Sequence, residues 1–442
     1  MSDPFNQARQ FFLDGIAHFE AGEFAAAEAA FVASLALLPG RVSTLMNLGA
    51  TRIKLGRPEA ALAPLDEALA QDPNSAECWL HRGVALGALA RHEEALACHE
   101  RALGLQAQHP VASFHRAKAL LALHRPADAL AASESLLQIS SDKAEAWFHH
   151  GQALHLLERR EDALASYARA LALDPTDALT WSSRGLVLKE LGRADESSAA
   201  FKQAVAHGGD AEMNGFYLAA LGAGTTPGAS KAGTVPSAPP RAYVQQLFDG
   251  YADSFEAHLV GTLRYRAHEV LVAQLQGVAP PRFKCALDLG CGTGLCGPLL
   301  KALADRVDGV DLSAPMLDKA RALGVYTRLE HTELVEHLKH TDERHDLVVA
   351  ADVFIYVGAL EPVFRVVQRV LERGGLFVFC VEEAGDEVDF ELRASLRYAH
   401  SRRYLRKLAE QAGFELLKLH AQAIREDQRQ PIAGLYAVLR KR

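Results

Sequence analysis

Between positions 285 and 294 the chain reads Cys-Ala-Leu-Asp-Leu-Gly-Cys-Gly-Thr-Gly, an apolar run ending in Asp288 and three glycines, Gly290, Gly292 and Gly294. Glycines at a strand-to-helix turn let the backbone approach a ligand closely and present amide groups at a helix N-terminus. The chemistry that this spacing serves is the binding of a cofactor. Asp311, at the end of the next apolar run, adds an acceptor for ribose hydroxyls. Gly292, Gly294 and Gly297 also spell GxGxxG, the dinucleotide fingerprint. In that fingerprint the first glycine closely follows the strand, whereas here Asp288 and Gly290 intervene. No metal site is expected. Cys78, Cys98, Cys285, Cys291, Cys296 and Cys380 form no CxxC pair, and the histidines of the first half (His81, His92, His99, His115, His149, His150 and His155) fall on different units without a common helical face.

Such residues need a sheet to hold them. From residue 241 onward strands and helices alternate, the pattern of a doubly wound α/β domain. Strands are expected at 284–289, 306–311, 325–329, 346–351, 375–381, 414–421 and 433–440, with helices between the first five and another at 401–412. Residues 222–240, GAGTTPGASKAGTVPSAPP, abandon all periodicity and read as a flexible linker between segments 1–221 and 241–442.

Ahead of the linker the chain repeats every 34 residues without insertion: Gly15, Gly49, Gly83, Ala117, Gly151 and Gly185 form one ladder. Ala27, Ala61, Ala95, Ala129, Ala163 and Ser197 form a second, and Pro39, Pro73 and Pro175 part of a third. Each unit reads as two helices, with the small residues where the pair crosses. The units span 8–41, 42–75, 76–109, 110–143, 144–177 and 178–211. Trp79, Trp147 and Trp181 share the fourth position of their units, where a ring is expected to fill the groove against the neighbouring helix. Residues 212–221 are expected to cap the last unit.

With 442 residues, 49% of them hydrophobic and 23% charged, the composition is that of a soluble globular protein of two domains. No apolar run approaches the roughly 18 residues needed to span a bilayer, so no membrane partner is expected. A net charge of −8 disfavours duplex nucleic acid. The N-terminus, MSDPFNQARQ, lacks the basic end and apolar stretch of a secretory signal, and a cytoplasmic location is expected.

The first half resembles the tetratricopeptide repeat, over six units. The fourth unit departs furthest, with Ala117 in place of Gly, Ser133 where an aromatic is usual and Ser141 where Pro is usual. This resemblance implies a concave surface that grips a peptide or protein partner. The second half resembles the class I S-adenosylmethionine-dependent methyltransferases, through Asp288–Gly294, Gly309–Met316, Asp346–Phe354 and Arg373–Leu376 in order. The expected fold class is therefore an all-α repeat solenoid followed by a Rossmann-like, seven-stranded α/β domain whose seventh strand runs antiparallel. S-adenosylmethionine is the implied cofactor. Carried over, Gly290, Gly292 and Gly294 bound its methionine portion, Asp311 holds the ribose, Leu312 and Met316 pack near the adenine, and Glu333 stands near the adenine amine. Asp288 and Asp352 join this set from the first and third stretches. Residues 247–259 and 396–401 resemble a bacterial subgroup of methyltransferases bearing such repeats, which places Phe248, Tyr251 and Phe255 in an apolar lid.

Methyl transfer from a sulfonium requires alignment, desolvation and, for a protonated acceptor, a base. By type and position His400 is the candidate base and Tyr356 the candidate for orienting the acceptor. Arg397, Tyr398 and Arg425 are candidates for binding an anionic group. An Asn/Asp-Pro-Pro-Tyr stretch, the mark of amide and adenine amino methyltransferases, is replaced by Ala351-Asp352-Val353-Phe354. Three functions stay open: a methyltransferase whose repeats recruit a protein or protein-bound acceptor, a small-molecule methyltransferase whose repeats serve assembly, and a scaffold with a cofactor-sensing pseudoenzyme domain.

Overall fold

The computed structural model describes residues 3–223, 235–249, 261, 263–427 and 430–442. It divides into two compact units, Met1–Gly209 and Asp210–Arg442.

The first unit is six antiparallel helix pairs, from Pro4–Glu20 with Phe24–Leu37 to Ala178–Glu190 with Ala194–Ala206. The glycine ladder has a steric cause. A Cβ on Gly151 would lie 2.6 Å from the Tyr167 ring, and one on Gly185 would lie 2.7 Å from Phe201. Gly15 meets Phe31 and Gly49 meets Leu65 in the same way, so each small residue makes room for a bulky one 16 positions later. In the fourth unit that register pairs Ala117 with Ser133: where the first position gains a methyl, the facing ring is gone. The tryptophans do more than fill a groove. The indole N–H of Trp79, Trp147 and Trp181 donates to the carbonyl of Pro73, Ser141 and Pro175 respectively, each at 2.9 Å. A carbonyl acceptor is indifferent to the side chain it belongs to, so Ser141 serves where proline stands elsewhere.

The repeat histidines depart from expectation. His81, His115 and His149 recur at the 34-residue period and so share one face of successive helices. They sit among rings: His99 stacks on His115 at 5.4 Å, and Phe114 meets His149 edge-on at 5.0 Å. Burial holds these imidazoles neutral, depressing His99 to about 3 and His115 to about 4.

In the second unit the strands are β1 (Phe283–Leu289), β2 (Ala304–Asp311), β3 (Arg328–His331), β4 (His345–Ala350), β5 (Leu371–Glu383), β6 (Phe390–Leu392), β7 (Tyr398–His400), β8 (Phe414–Ala421), β9 (Arg425–Asp427), β10 (Gln430–Ile432) and β11 (Gly434–Lys441). The main sheet runs β3-β2-β1-β4-β5-β11-β8. Strands β1 to β5 pair in parallel, and β11 lies antiparallel to both β5 and β8. Alternate residues of each central strand serve opposite faces: Leu287, Val348 and Phe377 pack into one apolar cluster, Ala286, Leu347 and Leu376 into the other.

Three expectations need correction. The third strand begins at Arg328 instead of 325, because Tyr326 turns inward to bond Asp288. Two three-residue strands, β6 and β7, pair with each other, and β7 pairs in parallel with β5, which raises the sheet above seven strands. Helix Ala211–Ala223, expected to cap the repeats, belongs to the second unit, with Phe216 against Tyr243 at 5.3 Å and Tyr398 at 6.5 Å. Part of the expected linker is also packed there: Ser237 accepts backbone hydrogen bonds from Gly358 and Ala359, both at 2.9 Å. Residues 224–234 of that linker lie outside the described residues.

Candidate active site

Strand order reverses between β1 and β4, which opens a crevice at their carboxyl ends. A cavity of about 930 Å³ occupies it. The glycine turn forms one wall, and each glycine has its own reason. Gly290 has φ +63°, and a Cβ there would lie 2.6 Å from Val353. Gly294, at φ +94°, would strike Leu323 and Tyr326 and lies beneath the lining. Gly292, at φ +54°, lines the cavity and has no atom within 4 Å of its would-be Cβ.

Asp311 ties β1 to β2. One carboxylate oxygen accepts from the Gly292 N–H at 2.8 Å and the other from the Ser313 N–H at 2.9 Å. A carboxylate has about four acceptor sites, so two bonds leave capacity facing the cavity. Burial raises its pKa against the pull of those amides. Asp288 is buried and accepts from the Tyr326 hydroxyl at 2.7 Å. Burial pushes it up to about 7, the tyrosine bond opposing and the Asp311 charge adding. Ser313, whose hydroxyl faces the Met316 amide, starts the helix that brings Met316 into the lining beside Leu312. Glu333 caps the next helix, accepting from Val335 N–H at 3.0 Å and Glu336 N–H at 2.8 Å, and also lines the cavity. A glycine turn open to the cavity, a carboxylate with spare acceptors, an apolar shelf and the buried, unpartnered Thr293 hydroxyl fit an adenosine-bearing cofactor.

Across the cavity, Asp352, two residues past the end of β4, has φ +59°, a left-handed conformation that clusters at functional sites when a non-glycine residue holds it. Its carboxylate accepts from Arg425 at 2.9 and 3.1 Å, and Arg425 also pairs with Glu382. Although Arg425 touches the cavity, it is buried with two carboxylates and is not a free anion ligand. Arg397 differs. It lines the cavity together with Tyr356, and among the described residues no carboxylate is within ion-pair reach of it. Tyr356 meets the Phe248 ring edge-on at 5.3 Å.

Two candidates fall outside the lining. His400 is fully buried in β7, with Nε2 2.9 Å from the Gly358 carbonyl, and burial depresses it to about 4. It has no path to an acceptor in the cavity. The Tyr398 hydroxyl donates to the Pro236 carbonyl at 2.9 Å. Of the expected lid, Phe248 lines the cavity, while Tyr251 and Phe255 lie outside the described residues. Ser237, Ala238, Pro239 and His268 line it too, and no local pattern marks them in the sequence.

A family model described as a methyltransferase domain matches residues 287–379, and tetratricopeptide repeat models match 18–82, 76–109 and 151–192. A malonyl-[acyl-carrier protein] O-methyltransferase of Geobacter sulfurreducens is 34% identical over 166 residues, 36% of this chain and 59% of that protein. The biotin biosynthesis bifunctional protein BioHC of Teredinibacter turnerae is 28% identical over 195 residues, 39% of this chain and 34% of that one. The chain thus spans less than two thirds of either relative. Magnesium protoporphyrin IX methyltransferase from Synechocystis, solved with bound S-adenosylmethionine, is similar over 46% of this chain and 97% of that one, with 15% identity and a TM-score of 0.37. The chain joins an array of tetratricopeptide repeats to a methyltransferase domain.

Proposed function

We propose that the second unit methylates a carboxylate on a protein-bound acceptor, and that the repeats recruit the protein that carries it. The observation that carries this is Arg397, a guanidinium that lines the cavity with Tyr356 and faces no carboxylate of its own among the described residues. Support for a protein-bound acceptor comes from the Geobacter relative, whose name states a carrier-protein substrate, and from the repeats, which a methyltransferase does not need for its chemistry.

When bound, S-adenosylmethionine supplies a methyl group on a good leaving group. The chain contributes the rest. The Gly290–Gly294 turn, Asp311, Leu312, Met316 and Glu333 hold the cofactor. Arg397 binds the acceptor carboxylate as a two-pronged donor, with Tyr356 in the same lining. The apolar lining keeps water from the reacting atoms. A carboxylate is already ionised near neutral pH, so the reaction needs no base, consistent with His400 lying outside the lining.

Transfer of a labelled methyl group in a lysate lacking the enzyme tests this: label should travel with protein and be released by mild alkali, as a methyl ester is. Label found on small molecules, or stable to alkali, overturns it. With the acceptor in hand, Arg397→Ala should lower kcat/KM by about 10- to 100-fold, the loss of one charge-assisted contact, and Arg397→Lys should recover part of it. An undiminished rate in Arg397→Ala removes the anion site. Recruitment is tested by a truncation starting at Asp210, which keeps helix Ala211–Ala223 with the unit it packs on. The shortened protein should bind S-adenosylmethionine normally but methylate the natural acceptor with a much higher KM; an unchanged KM rules recruitment out.

A further inference from the structure

Away from the cavity, near the amino ends of the central strands, lies a cluster that methyl transfer does not use. Cys285 is the third residue of β1, His345 the first of β4, and Asp308 pairs with Leu287 of β1 from β2. One ligand atom from each lies within 4.8 Å of the other two. Both ring nitrogens of His345, which is 1% exposed, and one Asp308 oxygen have no hydrogen-bond partner. Buried polar atoms are ordinarily satisfied, and a buried imidazole with no partner, converging with a carboxylate and a thiol, calls for an occupant.

We propose that Cys285, Asp308 and His345 form a site for a zinc-class divalent cation. The Cys285 Sγ is 3.6 Å from Asp308 Oδ2, and His345 Nε2 is 3.5 Å from the same oxygen. Ligands at about 2.0–2.1 Å (N, O) and 2.3 Å (S) from a tetrahedral zinc are roughly 3.3–3.6 Å apart, the spacing at which Asp308 stands from each of the other two, while those two lie within 4.8 Å of each other. A void of about 10 Å³ beside Asp308 and His345 has room for about one water as the fourth ligand. Charge balances: binding releases the Cys285 thiol proton to solvent, and thiolate, carboxylate and neutral imidazole meet a dication. Arg306, now paired with Asp308, keeps Glu343 at 2.6 Å as a second partner. Cys285 is partly exposed and offers an entry path. The ion would clamp β1, β2 and β4 together at the end opposite the cavity.

Cobalt(II) is the probe. The full-length protein, stripped with chelator, should bind one equivalent and develop a thiolate-to-cobalt charge-transfer band, which zinc then displaces. Cys285→Ser should abolish the band, and His345→Gln should abolish or strongly weaken it, while Cys98→Ser in the repeat unit leaves it intact. No band in the saturated wild-type protein overturns the site, as does a band undiminished in Cys285→Ser or in His345→Gln. Because the readout is spectroscopic, it stands or fails independently of methyl transfer.

Discussion

A Gly292→Val variant should fold and yet bind S-adenosylmethionine at least about 100-fold more weakly by calorimetry, a loss of about 2.8 kcal/mol. Gly292 holds φ +54°, and placing a side chain in the left-handed region costs about 1–2 kcal/mol of stability. Nothing in the protein collides with the new group, since no atom lies within 4 Å of its Cβ. The open space it enters borders the cavity, so the clash is with the cofactor. A second consequence runs through the backbone: the Gly292 N–H is a donor to Asp311, and any shift of the turn moves the carboxylate assigned to the ribose. Gly413 separates strain from exclusion. It has φ +75°, equally open surroundings and no place in the cavity lining. Gly413→Val should lose similar stability and keep full affinity. If Gly292→Val binds as the wild type does, the glycine turn is not the cofactor site.

That turn was legible in the sequence because its chemistry is local: positive φ, close approach and amide donors are all properties of the glycines themselves. Asp311 was legible for the same reason, as the last residue of a strand whose burial pattern the sequence shows. His400 and Arg425 were misjudged because their roles depend on partners far along the chain. β6 and β7 are three residues each, too short to carry a period, and the pairing of β7 with β5 on one side and β6 on the other is what buries His400. Arg425 reads from the sequence as a ligand for an anionic group, but Asp352 and Glu382, 73 and 43 positions away, already occupy it. Residues 235–240 lack periodicity, and Ser237, Ala238 and Pro239 among them still line the cavity, held by backbone bonds at Ser237 that composition does not encode. The repeat period fixed every helix pair, but it did not reveal why the fourth unit tolerates Ala117.

The fourth unit predicts the behaviour of its neighbours. Gly151→Ala alone should destabilise the array by about 1–3 kcal/mol, because the added methyl would lie 2.6 Å from the fully buried Tyr167 ring. Tyr167→Ser alone should cost about 3–5 kcal/mol, from the emptied volume and the lost hydroxyl bond to Ser183. The two changes together recreate the Ala117 and Ser133 combination one repeat later. In the double variant the ring that opposes the methyl is absent, and alanine regains the roughly 0.5–1 kcal/mol that glycine forfeits inside a helix. Its stability should therefore match or exceed that of Tyr167→Ser, a coupling of about 1–3 kcal/mol between the sites. All three tryptophans, Trp79, Trp147 and Trp181, lie in the array, and the last two pack on the cluster that holds Tyr167. Denaturant unfolding followed by tryptophan emission thus reads this unit alone. Additive losses would mean that the small-residue ladder is set by helix crossing in general; coupled losses mean that each glycine is chosen by the side chain it faces.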